Sequence, residues 1–218
     1  MSPSTSARER DFRSDIVGFC RMLHDRNYLA ANDGNVSARL SPGRILITPT
    51  GLHKGFLEPD QLVIVDESGK LISGQGRPSG ELAMHLTALR ERPDADVVVH
   101  AHPPTCIALS LIRHLKLNGL LPEVILSIGR LTIVPYARPV SEELGLAIAE
   151  HLHRNDALIL ERHGTLTLGK TVAEAYNRTE RLEHAAHVLW LAHAVGHPVP
   201  LPEAEVRTLE ALYERSRT

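Results

Sequence analysis

The chain has 218 residues, of which 43% are hydrophobic and 23% are charged, and its formal net charge is −2 at pH 7. This length suits one domain with a full hydrophobic core, and no Gly/Ser-rich or charge-rich linker divides the sequence. The scattered, nearly balanced charge disfavours a nucleic-acid-binding protein, and apolar runs far shorter than ~20 residues disfavour a membrane protein.

The N-terminal segment predicts disorder followed by a helix. Residues 1–10 are rich in serine and charged side chains and contain no hydrophobic signal core, so we expect a disordered segment and a cytoplasmic protein. Apolar residues then recur at helical spacing from Phe12 and predict a first helix that ends near Ala31.

The rest of the chain mixes hairpins with helices. Two β-hairpins are predicted, with strands at 34–40 and 44–48 and at 62–65 and 70–73, because turn signals separate the two members of each pair. Hairpins among helices, rather than a regular alternation, predict a three-layer α/β/α fold around a mainly antiparallel sheet. The later elements are predicted as helix 79–90, strand 97–100, helix 105–112, strand 131–134, helix 142–153, strands 157–161 and 165–168, and helices 171–194 and 203–214.

A pair of histidines at the end of a predicted strand is the most informative motif. In the run 96–104, three valines precede His100 and His102, and a double proline ends the strand. Residues two apart on a strand project from one face, so both imidazoles can reach one Zn²⁺ at about 2.0–2.1 Å. The same spacing in His151 and His153 falls in a predicted helix, where the side chains diverge by roughly 200°.

A catalytic zinc site needs a third protein ligand, and His163 is the best candidate. It follows the apolar run 157–160 and precedes Gly164, so a turn at the end of a strand can aim it inward. The alternative for His163 is a turn histidine bonded to the backbone. A rival pair, His184 and His187, is three residues apart on one face of a predicted helix, where packing or an interface is the alternative.

Glu81 is the candidate catalytic carboxylate. It lies in the predicted first turn of helix 79–90, where the helix dipole favours a negative charge, and the alternative is a helix cap. The same turn offers backbone N–H groups and the Ser79 hydroxyl, which suit a phosphate. Two further turns, Gly34-Asn35 and Thr48-Pro-Thr-Gly51, are similar weak signals for anion binding.

Together and in this order, these motifs resemble the class II aldolase/adducin family over roughly residues 12–195. The motifs that carry the resemblance are Gly34-Asn-Val-Ser37, Ile47-Thr-Pro-Thr-Gly51, Pro78-Ser-Gly-Glu81 with Met84-His85, Val98-Val-His-Ala-His-Pro103, Pro135-Tyr-Ala137, and Arg162-His-Gly164 before a long helix with Glu180 and Glu183.

The resemblance implies a set of site residues and partners. One Zn²⁺ per subunit, or Mn²⁺ or Co²⁺ in its place, would be bound by His100, His102 and His163. Glu81 would be the catalytic acid/base. The resemblance also implies a homo-oligomer, a C4 tetramer, with active sites shared between subunits. The phosphate of a sugar substrate would be bound by Asn35, Thr50, Gly51, Ser79 and Gly80.

Two positions depart from the family pattern. The pair Ser79-Gly80 is often Ser-Ser in the family, so one hydroxyl donor is absent here. The family's fuculose-phosphate aldolases use a tyrosine, contributed across a subunit interface, to protonate the leaving group, but this chain has no tyrosine between Tyr28 and Tyr136. Glu123 falls near that place in the sequence and is the candidate substitute acid.

Three functions compete on this basis. The resemblance implies first a lyase of carbohydrate metabolism, an aldolase that cleaves an L-fuculose-1-phosphate-like ketose to dihydroxyacetone phosphate and an aldehyde through a zinc-stabilised enediolate. The alternative is a decarboxylase or dehydratase of a sugar-acid or ketose phosphate that uses the same zinc-enolate chemistry. The third is a non-catalytic adducin-like scaffold, against which the intact histidine triad argues.

Overall fold

A computed structural model describes residues 6–112 and 118–217. The helices are α1 (Ala7–Asp25), α2 (Leu82–Glu91), α3 (Pro104–Ser110), α4 (Pro122–Ile128), α5 (Glu142–Leu152), α6 (Val172–Val195) and α7 (Glu203–Arg217). The strands are β1 (Asn35–Ser41), β2 (Arg44–Ile47), β3 (Val63–Val65), β4 (Leu71–Ser73), β5 (Val97–Ala101), β6 (Thr132–Val134), β7 (Ala157–Leu160) and β8 (Gly164–Gly169).

The strands form one sheet in the order β4-β3-β2-β1-β5-β8-β7-β6. Every neighbouring pair is antiparallel except β6 and β7, which confirms the predicted mainly antiparallel sheet. The register between β1 and β5 pairs Asn35 with His100 and Ser37 with Val98. Because side chains alternate along a strand, these four residues share one face of the sheet.

Helices cover both faces of the sheet. Val97 and Val99 of β5 pack in a core with residues of α1 and α6, whereas Val98 packs in a second core with residues of α2 and α5. Successive side chains of this buried strand thus point into different cores, and helices cover each of them. The predicted three-layer α/β/α arrangement is confirmed. His100 and Asn35 therefore lie on the face that α2 covers.

The first helix begins earlier than the sequence predicts. The Ser6 hydroxyl accepts a hydrogen bond from the Glu9 backbone at 3.2 Å and caps α1. Glu9 is buried and pairs with Arg13 at 2.9 Å. The prediction of disorder over 1–10 is therefore wrong for Ala7–Arg10, because the helix cap and the buried ion pair both stabilise this turn. Residues 1–5 lie outside the described part of the chain.

Two other boundaries differ from the predictions. Helix α1 ends at Asp25 rather than near Ala31, because Asn27 and Ala31 have φ angles of 60° and 50°, in the left-handed region that no right-handed helix contains. Helix α4 was not predicted, since its seven residues are too few to show a helical period in the sequence.

The C-terminal helix α7 is fastened to a buried ion cluster. The Tyr213 hydroxyl donates to Asp156 at 3.0 Å, and the same carboxylate lies 2.7 Å from Arg92 and 3.2 Å from Arg178. Asp156 is buried, so its charge depends on these partners.

Across the described residues, none of the helices combines the length and apolar character that crossing a membrane requires.

Removing the Tyr213 hydroxyl should loosen this attachment. We expect Tyr213→Phe to lower the free energy of unfolding by about 1.5–3 kcal/mol, the usual contribution of a hydrogen bond to a charged group. Urea unfolding measures the change. Tyr136→Phe is the matched control, because Tyr136 is 57% exposed. Equal unfolding midpoints for the two variants would contradict the attachment.

Candidate active site

Three histidines meet at one end of β5. His100 is the fourth residue of β5, and His102 follows the strand's last residue. The Nε2 atoms of these two side chains lie 2.9 Å apart. His163 arrives from the turn between β7 and β8, and the candidate ligand atoms of all three side chains lie within 4.8 Å of one another. The strand-borne pair and the turn histidine are thus brought together as the sequence predicts.

The turn that carries His163 depends on an unusual backbone angle at Arg162 and on the absence of a side chain at Gly164. Arg162 has a φ angle of 62°, which reverses the chain just after β7. A Cβ atom added at Gly164 would lie 2.3 Å from the Ala101 carbonyl oxygen, 2.8 Å from the His102 ring and 3.2 Å from the His100 ring. Glycine therefore lets β8 start directly against the histidine cluster.

We expect Gly164→Ala to displace these histidines. The backbone must shift to admit the methyl group, at a cost of about 1–3 kcal/mol in the free energy of unfolding, and metal content should fall with it. Thermal unfolding and elemental analysis check both effects. The control is Gly18→Ala in α1, which meets no atom within 4 Å and should be neutral or stabilising. Wild-type stability and metal content in Gly164→Ala would contradict this account.

Hydrogen bonds from Nδ1 set the tautomers of two of the imidazoles. His100 donates from Nδ1 to the Thr165 carbonyl oxygen at 2.8 Å, and His102 donates from Nδ1 to the Asp33 carboxylate at 3.2 Å. Burial, together with the neighbouring His100 and His163, lowers the pKa of His102 to about 4, so this ring is neutral at physiological pH. A neutral ring with its proton on Nδ1 carries a lone pair on Nε2.

The donor set fits a divalent metal ion. The Nε2 atoms of His100 and His102 face each other at 2.9 Å, and one cation bound between them can accept a lone pair from each. The separation is close to the ~3.3 Å expected between two imidazole nitrogens on a tetrahedral zinc with bonds of about 2.0–2.1 Å. Three imidazoles are a ligand set typical of catalytic zinc, and hydrogen bonds from Nδ1 anchor two of these rings, those of His100 and His102.

Glu81 faces the same cluster. One carboxylate oxygen lies 3.2 Å from Nε2 of His100 and the other lies 3.1 Å from Nε2 of His163. Burial alone would raise the pKa of Glu81, but its contacts with His100, His163 and Asn35 outweigh burial and hold the pKa well below the usual range. The carboxylate oxygens and the histidine Nε2 atoms converge on one point, where a bound metal ion would supply positive charge that favours the ionised carboxylate.

The backbone position of Glu81 differs slightly from the prediction. Glu81 is the N-cap residue of α2, one place before the predicted first turn, and its side chain makes no capping hydrogen bond. The helix-cap alternative is therefore wrong for the side chain, which is directed at the histidines instead. Helix α2 serves as the rigid support from which this carboxylate reaches the cluster.

The predicted phosphate-binding turns lie side by side. The Thr50 backbone N–H donates to the Arg77 carbonyl oxygen at 3.0 Å, and an isolated bridge joins Pro49 to Pro78. This bridge brings the Thr50-Gly51 turn next to the Ser79-Gly80 turn. Ser79 is buried and its hydroxyl accepts from the Glu81 backbone at 3.2 Å.

Asn35 connects these turns to the carboxylate. It follows Gly34, which has a φ angle of 69°, and its side-chain amide donates to Glu81 at 2.9 Å. The five residues predicted to bind phosphate are therefore grouped around Glu81. Asn35 and Ser79 are hydrogen-bonded to Glu81, and Gly80 precedes it in the sequence. Thr50 and Gly51 belong to the turn that is bridged to Pro78.

Sequence reasoning missed two residues that hold these loops. Asp33 orients His102 from 69 residues away, and no local pattern marks it. Lys54 is 2% exposed, and its ammonium group donates to the carbonyl oxygens of Asn32 at 2.9 Å and Leu52 at 2.8 Å. Lys54 thereby ties the loop that carries Asp33 to the loop that carries the Thr50-Gly51 turn.

Other predicted residues lie elsewhere. His184 and His187 are exposed on α6, and within the described ranges only the triad of His100, His102 and His163 groups as three possible ligands of one metal ion. Glu123 is exposed in the first turn of α4, and the hydrogen bonds and ion pairs found among the described residues do not join its carboxylate to Glu81.

Comparisons with known proteins identify the family of this chain. A family model, Class II Aldolase and Adducin N-terminal domain, matches residues 14–190. An L-fuculose phosphate aldolase of Methanococcus maripaludis is 37% identical over 178 residues, which are 82% of this chain and 96% of the relative. A 3-oxo-tetronate 4-phosphate decarboxylase of Escherichia coli is 33% identical over 187 residues, 84% of this chain and 88% of the relative.

A solved structure shows the same architecture. The crystal structure of YgbL from Klebsiella pneumoniae superimposes with a TM-score of 0.84 at 32% sequence identity, and the match covers 92% of this chain and 98% of that one. The family model spans most of the chain, and the relatives are matched over nearly their whole length. The chain therefore belongs to the class II aldolase and adducin family.

Proposed function

We propose that this protein is a divalent-metal-dependent lyase of carbohydrate metabolism that cleaves a phosphorylated ketose to dihydroxyacetone phosphate and an aldehyde. The observation that carries the proposal is the convergence of three imidazoles and the Glu81 carboxylate at 2.9–3.2 Å, next to two turns suited to phosphate. The aldolase and decarboxylase relatives support a lyase of this kind.

Each group has a proposed role. His100, His102 and His163 would hold Zn²⁺, or Mn²⁺ or Co²⁺ in its place. When bound, this ion would polarise the substrate's carbonyl and hydroxyl oxygens and offset the negative charge that develops when the bond breaks. As the bond breaks, the hydroxyl proton of the departing aldehyde must be taken up, for which Glu123 of a neighbouring subunit is the candidate, and Glu81 delivers a proton to the carbon that remains. The phosphate is bound by Asn35, Thr50, Gly51, Ser79 and Gly80.

Decarboxylation is the second candidate function. It is favoured by the 33% identity to a 3-oxo-tetronate 4-phosphate decarboxylase and by the absence of tyrosine between Tyr28 and Tyr136. Cleavage to an aldehyde needs a group that takes up the hydroxyl proton of the departing carbon, whereas release of CO₂ from a carboxylate does not, so the missing tyrosine would cost a decarboxylase nothing. Dehydration would use the same site, whereas the intact triad argues against a scaffold without catalysis.

A product screen separates these candidates. Purified metal-loaded protein is incubated with ketose phosphates, including L-fuculose 1-phosphate, and with sugar-acid phosphates, and aldehyde and CO₂ are assayed together. We expect aldehyde and dihydroxyacetone phosphate from a ketose 1-phosphate, with no product after chelation of the metal. Release of CO₂ from a sugar-acid phosphate without any aldehyde product would replace the aldolase by the decarboxylase.

We also propose a cyclic homotetramer whose active sites lie between subunits, with Glu123 of a neighbouring subunit as the acid. Large apolar side chains at the end of α6 are exposed in the single chain, Trp190 by 52% and Val195 by 89%, and support such an interface.

Subunit mixing tests this arrangement. Glu81→Gln and Glu123→Gln proteins should each retain about 1% of wild-type activity or less, and mixed oligomers should regain up to about a quarter of it, because some interfaces then pair an intact Glu81 with an intact Glu123. Activity is measured after subunit exchange has been verified by native mass spectrometry. Mixed oligomers that stay inactive would rule out Glu123 as the shared acid.

A further inference from the structure

A chain of buried polar side chains lies behind Glu81. The His85 ring nitrogen Nδ1 is 2.7 Å from the Ser37 hydroxyl, and its Nε2 is 2.5 Å from the Asn35 side-chain oxygen. The amide nitrogen of Asn35 then donates to Glu81 at 2.9 Å. Ser37 and His85 are completely buried, and Asn35 is 4% exposed.

The fold explains why these groups meet. Asn35 and Ser37 are two apart on β1, so both side chains project toward α2. His85 lies one helical turn after Glu81 on α2, so both face the sheet. The four side chains therefore connect a sheet strand and a helix N-terminus through hydrogen bonds between Ser37, His85, Asn35 and Glu81 in that order.

Only one assignment of donors satisfies the whole chain. The Asn35 NH₂ group faces and donates to the Glu81 carboxylate, so the Asn35 oxygen is the acceptor that faces His85. His85 then donates from Nε2 and accepts at Nδ1 from the Ser37 hydroxyl. This requires a neutral ring, and burial lowers the pKa of His85 to about 3.

The alternative orientation of Asn35 shows what His85 prevents. If the amide turned over, its oxygen would face the Glu81 carboxylate at the observed 2.9 Å, and two acceptors would repel. The Nε2–H group of His85 is the partner that disfavours this flip. Without this donor, the Glu81 carboxylate would lose its hydrogen bond to Asn35, one of its few contacts with residues other than the histidine triad.

We propose that His85 is a positioning residue, which acts through Asn35 to hold the Glu81 carboxylate against the histidine triad. This inference rests on the proposed function only for its effect on turnover. Its structural content, the orientation of Asn35 and Glu81, stands on the hydrogen-bond chain and can be measured in a protein without any assigned substrate.

Two substitutions of His85 separate hydrogen bonding from packing. His85→Leu fills the space without donor or acceptor, whereas the amide of His85→Gln can still donate to Asn35 and accept from Ser37. With the metal-loaded protein, we expect kcat to fall about 10–100-fold in His85→Leu, the loss typical of a catalytic group displaced by ~1 Å, and to recover largely in His85→Gln. Met84→Ala, a buried change on the same helix, controls for lost stability alone.

A double-mutant cycle tests whether His85 acts through Glu81. In a Glu81→Gln background, His85→Leu should reduce the residual kcat by less than twofold, because the group it positions is already disabled. An equal reduction in both backgrounds would overturn the proposal, since it would show that His85 acts independently of Glu81.

Crystal structures decide the inference if no substrate is turned over. In His85→Leu we expect the Asn35 amide to turn and Glu81 to move away from His163, and in His85→Gln we expect both to stay in place. An unchanged Glu81 in His85→Leu would overturn the proposal. Failure of the wild-type protein in the substrate screen would instead count against the proposed function and leave this result intact.

Discussion

Replacing His102 by alanine is expected to remove the divalent metal from the purified protein and to abolish turnover. His102 is one of three imidazoles around a single point, and its ring is fixed by the hydrogen bond to Asp33 at 3.2 Å. With one ligand gone, the remaining two imidazoles must compete with water for the ion. Since loss of an outer partner alone costs 10–100-fold in metal affinity, loss of a direct ligand should cost more than about 100-fold.

Elemental analysis of the purified variant, with a titration of added Zn²⁺, measures this loss. The control is His153→Ala, which removes an exposed histidine at the C-cap of α5. This control should keep one ion per subunit and full activity. Full metal occupancy in His102→Ala would show that the ion binds elsewhere and would overturn the assignment of the triad.

The histidine pair could be predicted because its signal is local. Alternation along a strand depends only on backbone geometry, so three valines followed by His100 and His102 already place both rings on one face. The prediction of His163 needed only its place after a buried strand and before glycine. By contrast, the contact between Asp33 and His102 spans 69 residues and depends on two loops meeting.

The missed features are those that tertiary contacts decide. Lys54 looks like a surface residue in the sequence, yet it is 2% exposed because two backbone carbonyl groups need its N–H donors. Glu9 likewise reads as a solvated charge, but Arg13 pairs with it and makes its burial possible. Composition and periodicity describe average environments, so neither identifies a charged side chain whose partners arrive from distant parts of the chain.

The hydrogen-bond chain behind Glu81 shows the same distinction. The sequence places His85 next to Met84 in a family motif without a role, because its function depends on facing Asn35 and Ser37 across the interface between α2 and β1. The register of β1 against β5 also places Asn35 directly opposite His100. The pair of β1 and β5 therefore carries both Asn35, which donates to Glu81, and the candidate metal ligand His100.

Replacing Glu81 by glutamine should lower kcat about 10²–10⁴-fold while leaving fold and metal in place. The amide has nearly the same shape and can still accept from Asn35, but it cannot carry a proton. Because His100, His102 and His163 supply the proposed metal ligands, metal content should stay at the wild-type value. Initial rates on the substrate found in the product screen, with elemental analysis of the same preparation, measure both quantities.

The matched control for Glu81→Gln is Glu91→Gln, at the other end of the same helix. Glu91 is 3.3 Å from Arg90 in an exposed pair, which contributes little to stability, so this variant should keep normal kcat. The two variants lose the same charge from α2 and differ only in the neighbours of the carboxylate. If Glu81→Gln also kept normal kcat, the carboxylate would not be the proton carrier, and its position beside His100 and His163 would serve metal binding alone.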